Sequence, residues 1–203
     1  AIDDVTPSAY EEANGSGSGT YTSNDIGGLA GEMGIGVKFT LPILGAVDAK
    51  YIPKVDGTEN GDNANSSDAS ASVGSGQSVS IKTNLADIPV LGSYLDGATL
   101  TMGYEEDEVS TIAATEDAVD GTIALNYTTG NFAFGVQRKA SSKGETGANT
   151  NEIFYKDLVI GISYAVNDNL SISYNTYESE KHDFSAVDKV QKSSAINVGY
   201  TIR

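Results

Sequence analysis

The stretch from Leu158 to Tyr177 constrains this chain more than any other. In Leu158-Val-Ile-Gly-Ile-Ser-Tyr-Ala-Val166 the even positions Leu158, Ile160, Ile162, Tyr164 and Val166 are large and apolar, while Gly161, Ser163 and Ala165 between them are small. Asn167-Asp168-Asn169 has the composition of a turn, after which Leu170, Ile172 and Tyr174 alternate with Ser171, Ser173 and Asn175. Period-two alternation on both sides of a short polar turn specifies a β-hairpin. A helix would need apolar residues at three- and four-residue spacing, and that stripe is absent.

The same pattern recurs along the chain. Met33 to Leu41, Leu100 to Tyr104, Ile123 to Tyr127, Phe132 to Val136 and Ile196 to Ile202 all alternate in this way, with weaker strands over Ala46–Lys54 and Ser78–Leu85. This makes about nine strands, most of them approaching the ~9–11 residues that a tilted strand needs to cross a bilayer. Their connections alternate in length. Pro42–Gly45, Thr128–Asn131, Asn167–Asn169 and the somewhat longer Asp87–Gly97 are short. Asp56–Gln77, Glu106–Asp120, Ser141–Asn151 and Glu180–Val190 are long and hold half of the acidic residues. Tight turns at one end and long loops at the other are the habit of transmembrane barrels.

Alternation by itself also suits a soluble sandwich. Two details favour a barrel. The polar phase is built from Gly, Ser, Thr, Asn and Ala, which suit the wall of a wet lumen, rather than from the Lys/Glu mixture of a solvated sheet. In addition, Arg138, Lys156 and Lys192 fall on the apolar phase near the long-loop end, where the outer rim of a barrel meets lipid phosphate. The expected fold is therefore all-β: an antiparallel transmembrane β-barrel with long acidic external loops. Single-chain bacterial barrels have even strand numbers. The odd count, together with a strand that runs to Thr201-Ile202-Arg203, leads to the expectation of a single partial barrel domain over 1–203, with successive hairpins over 31–203.

Composition excludes several other classes. With 12 basic against 28 acidic residues and a net charge of -16, the chain repels phosphate backbones, so nucleic acid is not expected as a partner. There is no cysteine, hence no disulfide and no thiolate metal site. No apolar run reaches the ~18 residues of a membrane-spanning helix. Ala1-Ile2-Asp3-Asp4 lacks the basic start of a signal peptide, and the expectation is a mature product or a fragment.

The unit Ile160-Gly-Ile-Ser-Tyr-Ala-Val-Asn-Asp-Asn-Leu-Ser-Ile-Ser-Tyr-Asn175 resembles the strand–turn–strand unit of Gram-negative general porins, alphaproteobacterial members especially. Thr6-Pro-Ser-Ala-Tyr-Glu-Glu-Ala13 is similar to the acidic loop that folds into the pore of those proteins, so residues 1–30 form a pore-loop-like segment on this resemblance. The resemblance implies an outer-membrane homotrimer of barrels, in contact with lipid and lipopolysaccharide, passing small hydrophilic solutes and ions by diffusion. It also implies a constriction whose acidic side is Glu11 and Glu12, with Asp3 and Asp4. Lys38, Lys50, Lys82 and Arg203 have the inward phase and are the basic side.

Catalytic constellations are missing from the sequence. His182, the one histidine, sits in Glu180-Lys-His-Asp183 with no nucleophile elbow, and reads as solvated. Asp56-Gly-Thr-Glu-Asn-Gly-Asp62 resembles a calcium loop, but its twelfth position is Ser67 and no helices flank it. Glu105-Glu106-Asp107-Glu108 is a contiguous run, unlike paired glycosidase carboxylates facing across a cleft. No enzyme activity, bound metal or cofactor is expected, beyond weak binding of a divalent cation such as Ca2+ by acidic loops. The alternative class is a secreted, acidic, β-rich surface protein such as an adhesin or surface-layer subunit. A protein of that class needs no detergent to stay in solution.

Overall fold

A computed structural model describes residues 34–53, 75–89, 92–107, 117–142, 153–183 and 187–201. Glu11, Glu12, Asp3, Asp4, Arg203 and the Asp56–Asp62 loop lie outside them. The described chain is one antiparallel sheet of nine strands, each paired with the next in sequence. In order these are β1 (Ile35–Leu41), β2 (Gly45–Ile52), β3 (Gly76–Asn84), β4 (Ala98–Asp107), β5 (Ala118–Thr129), β6 (Phe132–Ser142), β7 (Ile153–Asn167), β8 (Leu170–Asp183) and β9 (Lys189–Tyr200). Two 3-10 turns, Leu85–Asp87 and Gly92–Tyr94, fill the β3–β4 connection. The sheet is not closed into a barrel among the described residues: it ends at β1 and β9.

Strand number and order follow the alternation, but the ends differ from the sequence expectation. β8 continues to Asp183 and β9 already starts at Lys189, so the long connection expected over Glu180–Val190 shrinks to 184–188. Strands β5, β6 and β7 also reach further toward that end than their apolar residues suggest. In Glu178-Ser-Glu-Lys-His-Asp183 both faces are polar, so hydropathy loses its period while backbone pairing with β7 continues.

The short connections lock onto their neighbours. Thr83 Oγ1 donates to the Leu44 carbonyl at 2.6 Å, and the amides of Thr128, Ala165 and Thr201 donate to the carbonyls of Gly97, Asn131 and Asn169, each at 2.9 Å. Asn167 Oδ1 accepts from the Asn169 amide at 2.9 Å and shapes the β7–β8 turn, as asparagine side chains do at such positions.

The register carries a regular slip. A single row of cross-strand partners runs from Ala46 on β2 through Lys82, Thr101, Ala124, Gln137 and Val159 to Tyr177 on β8. β2 begins at Gly45, beside the row, whereas β8 begins at Leu170, far beyond it. The turn edge thus slips by about one residue per strand. With ~3.3 Å of rise per residue and ~4.8 Å between strands, that slip is a strand tilt of about 35° from the perpendicular to the turn edge.

Gly97 and Gly130 separate two reasons for glycine at this edge. Both have positive φ, 83° and 54°, but a Cβ on Gly97 would run into the Thr128 carbonyl oxygen, whereas nothing lies within 4 Å of one on Gly130. Gly97→Val is expected to lower unfolding free energy by at least about 2 kcal/mol and Gly130→Ala by about 1 kcal/mol, measured by denaturant titration of the refolded protein.

Candidate functional site

Directly paired residues of an antiparallel ladder share a face, so the register sorts every described strand residue to one side. One face carries Ile123, Leu125, Tyr127, Phe132, Phe134, Val136, Ile160, Ile162, Tyr164, Ile172, Tyr174, Ile196, Val198 and Tyr200. The other carries most of the strand Gly, Ser, Thr, Asn and Gln residues, with most of the strand lysines and several acids.

The polar face is the buried one. From β5 to β8, Gln137, Asn175 and Ser179 are 0 % exposed and Asp157 is 1 % exposed, whereas Ile123 and Ile160 are each 49 % exposed. A water-soluble sheet distributes these residues the other way round.

Buried polar groups need partners, and the sequence supplies them across strands. Asp157 on β7 accepts from Tyr177 Oη at 2.7 Å on one carboxylate oxygen and from Ser179 Oγ at 2.6 Å on the other. Lys139 on β6 lies directly across from Asp157 in the register, and its ammonium stands 5.4 Å from the centre of the Tyr177 ring. Gln137 Nε2 donates to Thr122 Oγ1 at 2.9 Å, and that hydroxyl donates on to the Arg138 carbonyl at 3.3 Å. Asn197 Nδ2 donates to Asn175 Oδ1 at 3.4 Å.

Most charges on this face fall in two adjacent register rows, with Lys82 in the next row toward the short turns. The first runs Lys38, Asp48, Ser80, Gly103, Thr122, Lys139, Asp157, Ser179, Gln191, with Lys38 and Asp48 ion-paired at 3.0 Å. The second runs Lys50, Ser78, Glu105, Asp120, Ser141, Tyr155, Lys181, Lys189. Because the strands tilt, both rows wind diagonally along the wall rather than forming a level ring.

Of the residues singled out from sequence, Lys38, Lys50 and Lys82 are on the polar face of β1 to β3. Arg138, Lys156 and Lys192 are on the apolar face. Arg138 lies between Ile123 and Leu158 in the register, Lys156 lies 5.2 Å from the Phe154 ring centre, and Lys192 is ion-paired with Glu178 at 2.9 Å. His182 is also on that side, at the far end of β8, between Glu180 at 3.3 Å and Asp188 at 3.1 Å. Sequence reasoning passed over Lys139, Asp157, Asp48, Glu105 and Asp120. Parity would have found three of them: Lys139 follows outward Arg138, Asp157 follows outward Lys156 and Asp48 stands two residues before inward Lys50, so each must face inward. Among the described residues no group of three or more His, Cys, Asp or Glu is placed to hold a metal ion.

Asp157→Ala leaves two buried hydroxyls without their acceptor, and is expected to cost about 2–3 kcal/mol of unfolding free energy. Asp157→Asn, which keeps the shape, is expected to cost less, and paired denaturant titrations check the order.

No family model matches the chain, and no curated protein matches it.

Proposed function

We propose that this chain is wall of a porin-type transmembrane β-barrel in a bacterial outer membrane, passing small hydrophilic solutes and ions by diffusion without chemical conversion. The single observation that carries the reading is the inverted burial: an enclosed polar face and an exposed face of large apolar side chains. In water each such exposed side chain forgoes part of the ~1.5–3 kcal/mol that its burial is worth, and soluble monomers rarely expose contiguous apolar patches above a few hundred Å2. Hydrocarbon removes that cost and leaves the polar face to water.

Three further features agree with this reading. The ~35° tilt falls at the edge of the 35–45° range of outer-membrane barrels. Outward residues Leu158 to Val166 cover about 26 Å along β7, or roughly 21 Å across a bilayer at that tilt, near the ~25 Å apolar band of such barrels. Tyr127, Phe132, Phe134, Tyr164, Tyr174 and Tyr200 cluster toward the short-turn edge, with Phe132 and Tyr164 ring centres 4.6 Å apart, as an interfacial aromatic girdle would.

β1 and β9 run in the same direction, so antiparallel closure takes an odd number of further strands. Within a closed wall, Lys38, Lys50 and Lys82, joined by Arg203, face the acidic Glu11 and Glu12, with Asp3 and Asp4, and the field between them sorts ions by charge. Lipopolysaccharide and a homotrimer belong to the same proposal. The secreted surface-protein reading would require a protein cover over the whole apolar face.

In reconstitution, Ile162→Arg is expected to block insertion, at about 2–4 kcal/mol for a lipid-facing charge near mid-bilayer, while Ser163→Arg inserts normally and lowers conductance. Lys82→Glu is expected to move the reversal potential in a salt gradient toward cations. A wild-type protein that is monodisperse without detergent and forms no conductance in planar bilayers would sink the proposal.

A further inference from the structure

The enclosed face closes to different degrees at its two ends. On the interior strands β5 to β8 it opens toward the short turns, where Thr128 and Ala165 are exposed and Asn126, Ala133, Ser163 and Ser171 are half-buried. A cavity of about 670 Å3 lies there, lined in part by Asn131, Ala165, Asn167, Ser171, Gly199 and Thr201. Toward the long loops the same strands are shut: Ser141 and Tyr155, close to those ends of β6 and β7, are only 4 % and 7 % exposed. The side chains of this shut half bond one another. Gln137 donates to Thr122, Tyr177 and Ser179 donate to Asp157, and the Lys139 ammonium lies over the Tyr177 ring. An ion crossing that half would shed its hydration against groups already paired, which is costly.

The flanks of the sheet differ from its centre at the same level. Ser179 on β8 is 0 % exposed, whereas its register partner Gln191 on β9 is half-buried. On the other flank Gly36, Lys38 and Thr40 of β1 are exposed, and Asp48 and Lys50 of β2 are half-buried. We propose that the route through the barrel is eccentric: water and solutes pass beside β1, β2 and β9, and the long-loop half of β5 to β8 is a dry, hydrogen-bonded block. The inference rests on the barrel reading and narrows it, because a lumen wetted evenly all round would leave Gln137, Asn175 and Ser179 open to water. It also sorts the inward lysines. Lys38, Lys50 and Lys189 border the route and act on passing charge, whereas Lys139, 3 % exposed and across from Asp157, belongs to the block.

The chain has no cysteine, so single cysteines report water access without background. Gln191→Cys and Ser179→Cys, register partners at one level of the wall, are treated with the charged thiol reagent 2-sulfonatoethyl methanethiosulfonate. Modification is followed by mass spectrometry of the refolded protein and by conductance in planar bilayers. Gln191→Cys should be modified quickly and lose conductance on modification. Ser179→Cys should react at least about a hundredfold more slowly, because its thiol is reached only on local opening, and keep wild-type conductance. Ser141→Cys repeats the comparison on β6, away from the hydroxyl bonds to Asp157, and should behave as Ser179→Cys does. Equal rates at Gln191→Cys and the two block positions overturn the eccentric route. A conducting wild type in which none of the three cysteines reacts overturns it as well. Wild type that forms no conductance overturns the barrel reading itself, and the route with it.

Discussion

Everything in this structure depends on the antiparallel hydrogen-bond ladder and on the parity it enforces. Once β7 pairs with β6 and β8 in the observed register, Val159, Asp157 and Gly161 lie on one side, and Leu158, Ile160 and Ile162 on the other. A slip of one residue would exchange the two sets. The ladder satisfies the backbone of the interior strands in any solvent, so the solvent on each face is decided by side chains alone. Here they ask for two solvents, because the enclosed set is hydroxyl, amide and charge and the open set is aliphatic and aromatic.

This arrangement reverses the usual origin of sheet stability. No apolar core of ordinary size exists among the described residues; the buried apolar cluster is Val159 with Tyr177. Cohesion inside comes from cross-strand polar contacts such as Tyr177 and Ser179 on Asp157, and Gln137 on Thr122. In an enclosed, low-dielectric setting such bonds are strong when complete and costly when broken. The carboxylate of Asp157 holds hydroxyls on both oxygens and has Lys139 across the strand, which lets a charge sit at almost no exposure. Outside, the aromatic pair of Phe132 and Tyr164 packs with its rings tilted by 41° at the short-turn edge, where aromatic rings suit a boundary between apolar and wet surroundings.

The candidate site was partly legible in the sequence. Lys38, Lys50 and Lys82 take the polar face because each alternates with apolar neighbours, as Lys38 does between Val37 and Phe39. Arg138, Lys156 and Lys192 take the apolar face because each stands two residues from a side chain of the apolar phase, Val136, Leu158 and Val190 respectively. The acids were less legible, since Glu105 and Asp120 sit in or beside acidic runs that read as solvated loop. Their placement as direct partners on the enclosed face requires knowing that β4 and β5 extend beyond their apolar residues. Likewise Lys181 and Lys189 face each other across β8 and β9 only because pairing continues past the point where hydropathy loses its period.

The sequence by itself determined that the chain forms strands, roughly nine of them, where the short turns fall, and which residues share a side. Local alternation and turn chemistry carry that information, because side chains on a strand must point to opposite faces. Only the tertiary structure decided which side is enclosed, how far each strand runs, and the slip that tilts the strands. It also decided the meeting of Asp157 with Tyr177, Ser179 and Lys139. These are set by pairing between segments distant along the chain, whose register no local pattern records. The physical reason is that parity is a property of one strand, whereas burial and register are properties of its neighbours.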